Sequence, residues 1–148
     1  MLSKHSSIFA LLVMTVVFVS FSQVGQTEEL KDSPNRISGS TKVTADELIE
    51  LASKNDKLVI IDSRIPNDRT QGYIEGSKSL PDEKTSCQSL AELIPNKTTP
   101  TVYYCNGPKC GRSAIAVKIA LSCQYKNIYW FRGGYEVWVN SGYPVIKE

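Results

Sequence analysis

From residue 41 onward the chain alternates between two hydrophobic rhythms. Thr44, Ala45, Asp46 and Glu47 spell a capping box: the Thr44 hydroxyl can accept from the backbone N–H three residues on, and Glu47 can reach back. Leu48, Ile49, Leu51 and Ala52 then recur at helical spacing, which predicts a helix over 44–54 behind a short strand around Lys42 and Val43. The run Leu58, Val59, Ile60, Ile61 is continuous, mostly β-branched and bounded by charges, as for a strand covered on both faces; it ends at Asp62. Tyr73-Ile74 and Lys78-Ser79-Leu80 give weaker strand or turn signals around Gly72 and Gly76. A short helix over 89–94 is stopped by Pro95. A strand over 101–104 leads through a Gly/Pro loop into 113–121, which is apolar nearly all round and reads as a buried helix. A strand over 127–131, Gly133-Gly134, a short helix carrying Trp138 and a tail through Gly142, Tyr143 and Pro144 complete the pattern. Strands alternating with helices predict an α/β fold, a mostly parallel central sheet with helices on both faces, hence three layers. Ligands in such sheets sit at the carboxyl ends of the strands. The end that matters here follows Tyr104.

The N-terminal texture is different. Lys4 and His5 precede an almost wholly apolar run over 8–21, too short to span a bilayer comfortably as a helix. With small residues at Ser20 and Ser22, residues 1–22 read as a secretory signal peptide cleaved after Ser22, which implies a periplasmic or secreted product. The competing reading is an uncleaved anchor, the one route to membrane association. Residues 23–40 are polar and weakly periodic, a linker, and the folded unit spans 41–148. The whole chain has 148 residues, 41% hydrophobic and 22% charged, a globular composition. Its net charge of +2, with no basic run, gives no electrostatic footprint for nucleic acid. The single His is His5, inside the leader, so a processed chain has no imidazole for Ser-His-Asp, Cys-His or His-ligated metal chemistry.

Cys105 ends a strand, Asn106, Gly107, Pro108, Lys109, Cys110, Gly111 and Arg112 follow, and Ser113 opens the buried helix. These residues can wrap backbone N–H groups around the Cys105 sulfur, and the helix adds its positive end. Lys109 and Arg112 add charge at the rim. Each contribution favours thiolate over thiol, and the same cradle would bind an oxyanion beside the sulfur. On the loop alone, a second reading stays open: Cys105 as a small buried apolar residue beside an ordinary strand-to-helix connection.

Three ordered motifs make 41–148 resemble the rhodanese-like sulfurtransferase family. The first is Asp62-Ser63-Arg64, Asp68, Gly72 to Gly76 and Leu80-Pro81; the second runs from Val102 through Cys105 to Arg112-Ser113; the third is Phe131-Arg132-Gly133-Gly134, Trp138 and Gly142 to Val145. The resemblance implies a rhodanese-like fold with Cys105 as nucleophile. Cys105 would take the outer sulfur of a thiosulfate-like anion as a persulfide, release sulfite and pass the sulfur to a thiol or cyanide. Residues 106–112 and Ser113 would hold the anion; no cofactor or metal is implied. Arg64 and Asp68 are expected to form a structural ion pair, and Asp62 to cap backbone. The chain departs from the family pattern at Tyr73, where His is usual, at Arg69, where an aromatic is common, and in the loop, which has seven residues between Cys105 and Ser113 where the family has five. Both side-chain departures read as structural. The longer loop admits a larger tetrahedral anion and keeps a Cys-dependent phosphatase or arsenate reductase on the same fold as the alternative, although Arg112 does not meet the phosphatase spacing. A non-catalytic anion-binding or thiol-redox module is the third reading.

Cys110 has two readings, a resolving thiol for Cys105 or, favoured, a loop residue that faces away. Cys87 and Cys123 either pair or, favoured, remain buried free thiols. No Cys-x-x-Cys hairpin supports a zinc site. Tyr129, Trp130, Tyr135 and Trp138 read as packing aromatics, with Trp130 or Phe131 available to line the pocket mouth.

Overall fold

The computed structural model describes residues 33–147. The leader 1–22 and the first part of the linker lie outside them. In chain order the elements are β1 (Thr41–Lys42), α1 (Ala45–Lys54), β2 (Val59–Asp62), α2 (Pro66–Arg69), β3 (Lys78–Ser79), α3 (Cys87–Leu93), β4 (Thr101–Tyr104), α4 (Arg112–Ser122), β5 (Ile128–Phe131) and α5 (Gly134–Asn140), with a 3₁₀ turn at Asp82–Lys84. The five strands form one sheet in the order β1-β5-β4-β2-β3, every neighbouring pair parallel. The only antiparallel pairing among the described residues is an isolated bridge between Tyr73 and Ile146.

Alternation along the strands builds the layers, because successive side chains point to opposite faces. Val59 and Ile61 of β2, Tyr103 of β4, and Ile128 and Trp130 of β5 pack with Leu90 of α3 and with Ala114, Ala116, Val117 and Ala120 of α4. Val102, Tyr104 and Phe131 point the other way, onto Val43, Ala45 and Leu48 at α1 and Trp138 of α5. The expected three-layer α/β/α arrangement follows, with two cores separated by the sheet.

The capping box of α1 forms: the Glu47 amide donates to Thr44 Oγ1 at 3.2 Å and the Thr44 amide to Glu47 Oε2 at 2.7 Å. A second box, Ser86 with Ser89, starts α3 two residues before the expected helix. The one-turn helix α2 begins at Pro66, where a missing N–H costs nothing. The nearly all-apolar 113–121 segment is buried except on one stripe, where Ile115 is 45% exposed. Residues 33–40, read from composition as part of the polar linker, pack on the domain. Ile37 joins the α4-side core, and the Arg132 guanidinium donates to the Pro34 and Ser33 carbonyls at 2.8 and 3.0 Å.

Two cystines are present, Cys87–Cys123 and Cys105–Cys110, and no cysteine is free. Both favoured sequence readings are therefore corrected. Cys87 opens α3 and Cys123 follows α4, two helices packed on the same face of the sheet, which brings their Cα atoms to 5.4 Å. Cys110 is turned back toward Cys105 by the turn that closes the loop.

Candidate active site

The sheet delivers Cys105 to its carboxyl edge. Tyr104, the last residue of β4, lies in register with Asp62 at the end of β2 and with Phe131 at the end of β5, so all three motifs converge on one edge. Cys105 is 1% exposed yet belongs to neither apolar cluster. Its Sγ is bonded to that of Cys110, with the Cα atoms 6.2 Å apart. The turn responsible is held by the Cys110 amide, which donates to the Gly107 carbonyl at 2.9 Å, with Pro108 and Lys109 between them. Cys110 is half-buried and Lys109 exposed.

The first part of the loop is fixed by α5. The Tyr135 amide donates to the Cys105 carbonyl at 2.8 Å and the Glu136 amide to the Asn106 carbonyl at 2.7 Å. Two orphan N–H groups of α5, which has no side-chain cap, are satisfied in this way. The peptides are trans, and a planar trans peptide points its N–H opposite to its C=O. The Asn106 and Gly107 amides are accordingly aimed away from α5. Gly134 makes the approach feasible: it sits at φ 61°, and a Cβ there would overlap the Cys105 carbonyl oxygen and come within 2.9 Å of the Gly107 nitrogen. Across the loop, α4 begins at Arg112 with Gly111 as N-cap and no side-chain cap, so its first-turn amides are left to the loop side. Arg112 is half-buried, and neither it nor Lys109 forms a salt bridge among the described residues. Ser113 differs from the other loop residues: its buried hydroxyl accepts from the Trp130 indole at 3.0 Å and is engaged with the core.

Beneath the loop lies a buried charged network. Arg64 and Asp62 form a two-pronged pair, Nε to Oδ1 at 2.9 Å and Nη2 to Oδ2 at 2.7 Å, both side chains 1% exposed. Asp62 also accepts from the Arg64 amide, as the expected backbone cap, at 3.1 Å, from the Tyr104 hydroxyl at 2.8 Å and from Arg69 at 3.0 Å. Burial alone would raise the Asp62 carboxyl; the Arg64 hydrogen bonds and charge, with Tyr104 and the Arg64 amide, outweigh it and hold the group below its ordinary range. Burial, followed by the Asp62 charge, pushes the Tyr104 hydroxyl above its ordinary value, so it remains protonated and donating. The guanidinium of Arg64 also lies 4.2 Å from the Tyr135 ring centroid, tying the network to the first turn of α5.

The expected Arg64–Asp68 ion pair does not form. Asp62, two residues from Arg64 and fully buried, takes the guanidinium, and only the Asp68 backbone carbonyl reaches it, at 3.3 Å. The Asp68 carboxylate instead accepts from Asn106 Nδ2 at 2.7 Å and braces the loop from the α2 side. The two departures from the family pattern meet each other: Arg69 stacks over the Tyr73 ring at 3.5 Å while pairing with Asp62. Trp130, fully buried, does not line a pocket mouth. Phe131 does line a groove of about 390 Å³ beside the loop, together with Pro108, Arg132, Gly133 and Val137. Tyr104, Tyr135 and Gly134 support the loop without being marked in the sequence as doing so; only the Gly133-Gly134 pair carries a signal, as part of a motif that names no contact.

Comparison with known proteins agrees with this geometry. Residues 44–141 match the model of the rhodanese-like domain. Among solved structures, a thiosulfate sulfurtransferase from Pseudomonas aeruginosa is 25% identical with a TM-score of 0.64, over 73% of this chain and 20% of that one. This chain thus spans about a fifth of the Pseudomonas protein's length. A rhodanese-related protein from Thermoplasma volcanium is 26% identical with a TM-score of 0.59, over 73% of this chain and 99% of that one. A polysulfide-sulfur transferase from Wolinella succinogenes, a 30 kDa homodimer, shares the fold at 22% identity and a TM-score of 0.61, over 74% and 80% of the two chains. No curated protein matches. With its parallel sheet, its Cys loop at the carboxyl edge and a family match over most of the folded unit, the chain belongs to the rhodanese-like domain family.

Proposed function

We propose that this protein is an exported single-domain sulfurtransferase, working through a persulfide on Cys105. The observation that carries the reading is the placement of Cys105: it directly follows β4 and opens a loop clamped by α5 and closed by the uncapped start of α4. In the reduced protein the Cys105 thiolate attacks the outer sulfur of a thiosulfate-like donor. A bond forms between Cys105 Sγ and that sulfur, the donor's sulfur–sulfur bond breaks, and its electron pair leaves with sulfite. The attack of a thiol or cyanide on the outer sulfur then returns Cys105 as thiolate. The Asn106 and Gly107 amides, which point away from α5, supply the positive surroundings for the anion together with the α4 first turn, Lys109 and Arg112. Export is read from the pattern of residues 1–22, and the Cys87–Cys123 cystine fits an oxidising compartment, periplasmic or extracellular.

The phosphatase alternative needs an acid for its leaving alkoxide. Asp62, the buried carboxylate at the adjacent strand end, is held ionised by Arg64 and is unsuited to that role. The test is a parallel assay of the reduced protein with thiosulfate plus cyanide, aryl phosphate and arsenate. Thiocyanate formation that is lost in Cys105→Ser supports the reading. Turnover of aryl phosphate or arsenate with thiosulfate inert overturns it.

A further inference from the structure

We propose that Cys110 resolves the Cys105 persulfide, giving the protein a second activity: reduction of the bound sulfane sulfur to sulfide, with the Cys105–Cys110 cystine as the oxidised product. The proposal rests on the persulfide reading above and adds the fate of the sulfur. Its basis is that the structure holds the bond such a reaction would leave behind. Cys110 is brought back over Cys105 by the Cys110–Gly107 turn, and the two residues reach a Cα separation of 6.2 Å inside the loop that would bind the donor. The second cystine, Cys87–Cys123, joins α3 to the end of α4 and takes no part in this loop.

The step balances without an outside oxidant. Once sulfite has left, the Cys110 thiolate attacks Cys105 Sγ. The Cys105–Cys110 bond forms, the bond from Cys105 Sγ to the outer sulfur breaks, and its electron pair departs on that sulfur as hydrosulfide. Two thiols are oxidised and one sulfane sulfur is reduced by two electrons. Return to the thiol form needs a dithiol reductant, and the exposures say where it enters. Cys110 is half-buried while Cys105 is 1% exposed, so the incoming thiolate reaches Cys110 Sγ. Cys105 then leaves as thiolate beside the uncapped first turn of α4, and the reductant's second thiol frees Cys110 as the reductant closes into its own disulfide. With cyanide present the outer sulfur leaves as thiocyanate; with only a dithiol present it leaves as sulfide.

The experiment uses the full chain, reduced, freed of reductant without air, and mixed with one equivalent of thiosulfate. Sulfite, sulfide and the alkylation of each cysteine are measured, alongside Cys110→Ser. The wild type is expected to release sulfite and sulfide in equal amounts, and to lose alkylation at Cys105 and Cys110 together. Cys110→Ser is expected to release sulfite, no sulfide, and to stop at a protein heavier by one sulfur atom. Sulfite without sulfide from the wild type, with Cys110 still alkylated, overturns the proposal and leaves sulfur transfer intact. No sulfite from either protein overturns the sulfur-transfer reading itself, and this proposal with it.

Discussion

The Tyr104 hydroxyl donates to Asp62 Oδ2 at 2.8 Å, joining the ends of β4 and β2 one residue before Cys105. The same oxygen receives the Ile74 amide at 3.3 Å and lies 3.1 Å from Ser77 Oγ, so one phenol gathers three segments. Tyr104→Phe removes one donor from Asp62, which keeps Arg64 and Arg69, and takes the acceptor from the buried Ile74 amide without changing the ring; it is expected to cost about 1–3 kcal/mol in denaturant unfolding. A midpoint indistinguishable from the wild type would show that the phenol is dispensable.

Asp62 makes stability depend on pH. Its folded-state carboxyl is held below the ordinary value, so its contribution is fully present above the unfolded carboxylate range and is lost as pH falls through the depressed folded value. Asp62→Asn leaves Arg64 buried without a counter-charge, at an expected cost of about 3–5 kcal/mol near neutrality. Thermal unfolding followed from neutral to acid pH should show a steeper acid decline in the wild type than in the variant. Parallel curves would contradict the assignment.

The Cys87–Cys123 cystine closes a loop of sequence separation 36 between two helices on one face. Replacing both cysteines by Ser should lower stability by about 2–4 kcal/mol under non-reducing conditions, while leaving the chemistry at Cys105 in place. An unchanged urea midpoint would argue that this bond does not brace the helical layer.

Gly134 and Gly142 both have positive φ, but only Gly134 lies against the loop. Ala at Gly142 meets open space and should cost about 1–2 kcal/mol, from backbone strain alone. Ala at Gly134 adds an overlap with the Cys105 carbonyl and should also slow sulfite release from thiosulfate by at least about tenfold, since misplacing a reacting group by about 1 Å costs more than that. Equal activity in the two variants would remove Gly134 from the positioning of the loop.

What was readable in the sequence was whatever depends on near neighbours. The Thr44/Glu47 box, the β-branched run before Asp62 and the apolar segment after Arg112 are periodic or capped, and each became the expected element. Contacts between distant segments were not readable. Asn106 meets Asp68 across 38 positions, and Arg69 shares the Asp62 carboxylate with Arg64 only once α2 has formed. Four cysteines allow three pairings, and nothing local says which sulfur atoms approach; the turn at Gly107 and the shared face of α3 and α4 decide it. Family motifs located the edge but assigned Arg64 the wrong carboxylate, because a motif gives order along the chain and not distance across it.

The claim that everything else rests on is that Cys105 is the sulfur-accepting atom. Intact mass of reduced Cys110→Ser and Cys105→Ser after thiosulfate treatment tests it most directly. Cys110→Ser is expected to gain one sulfur atom, removed by cyanide, and Cys105→Ser to gain none. An adduct that persists in Cys105→Ser, or none in Cys110→Ser, would contradict it.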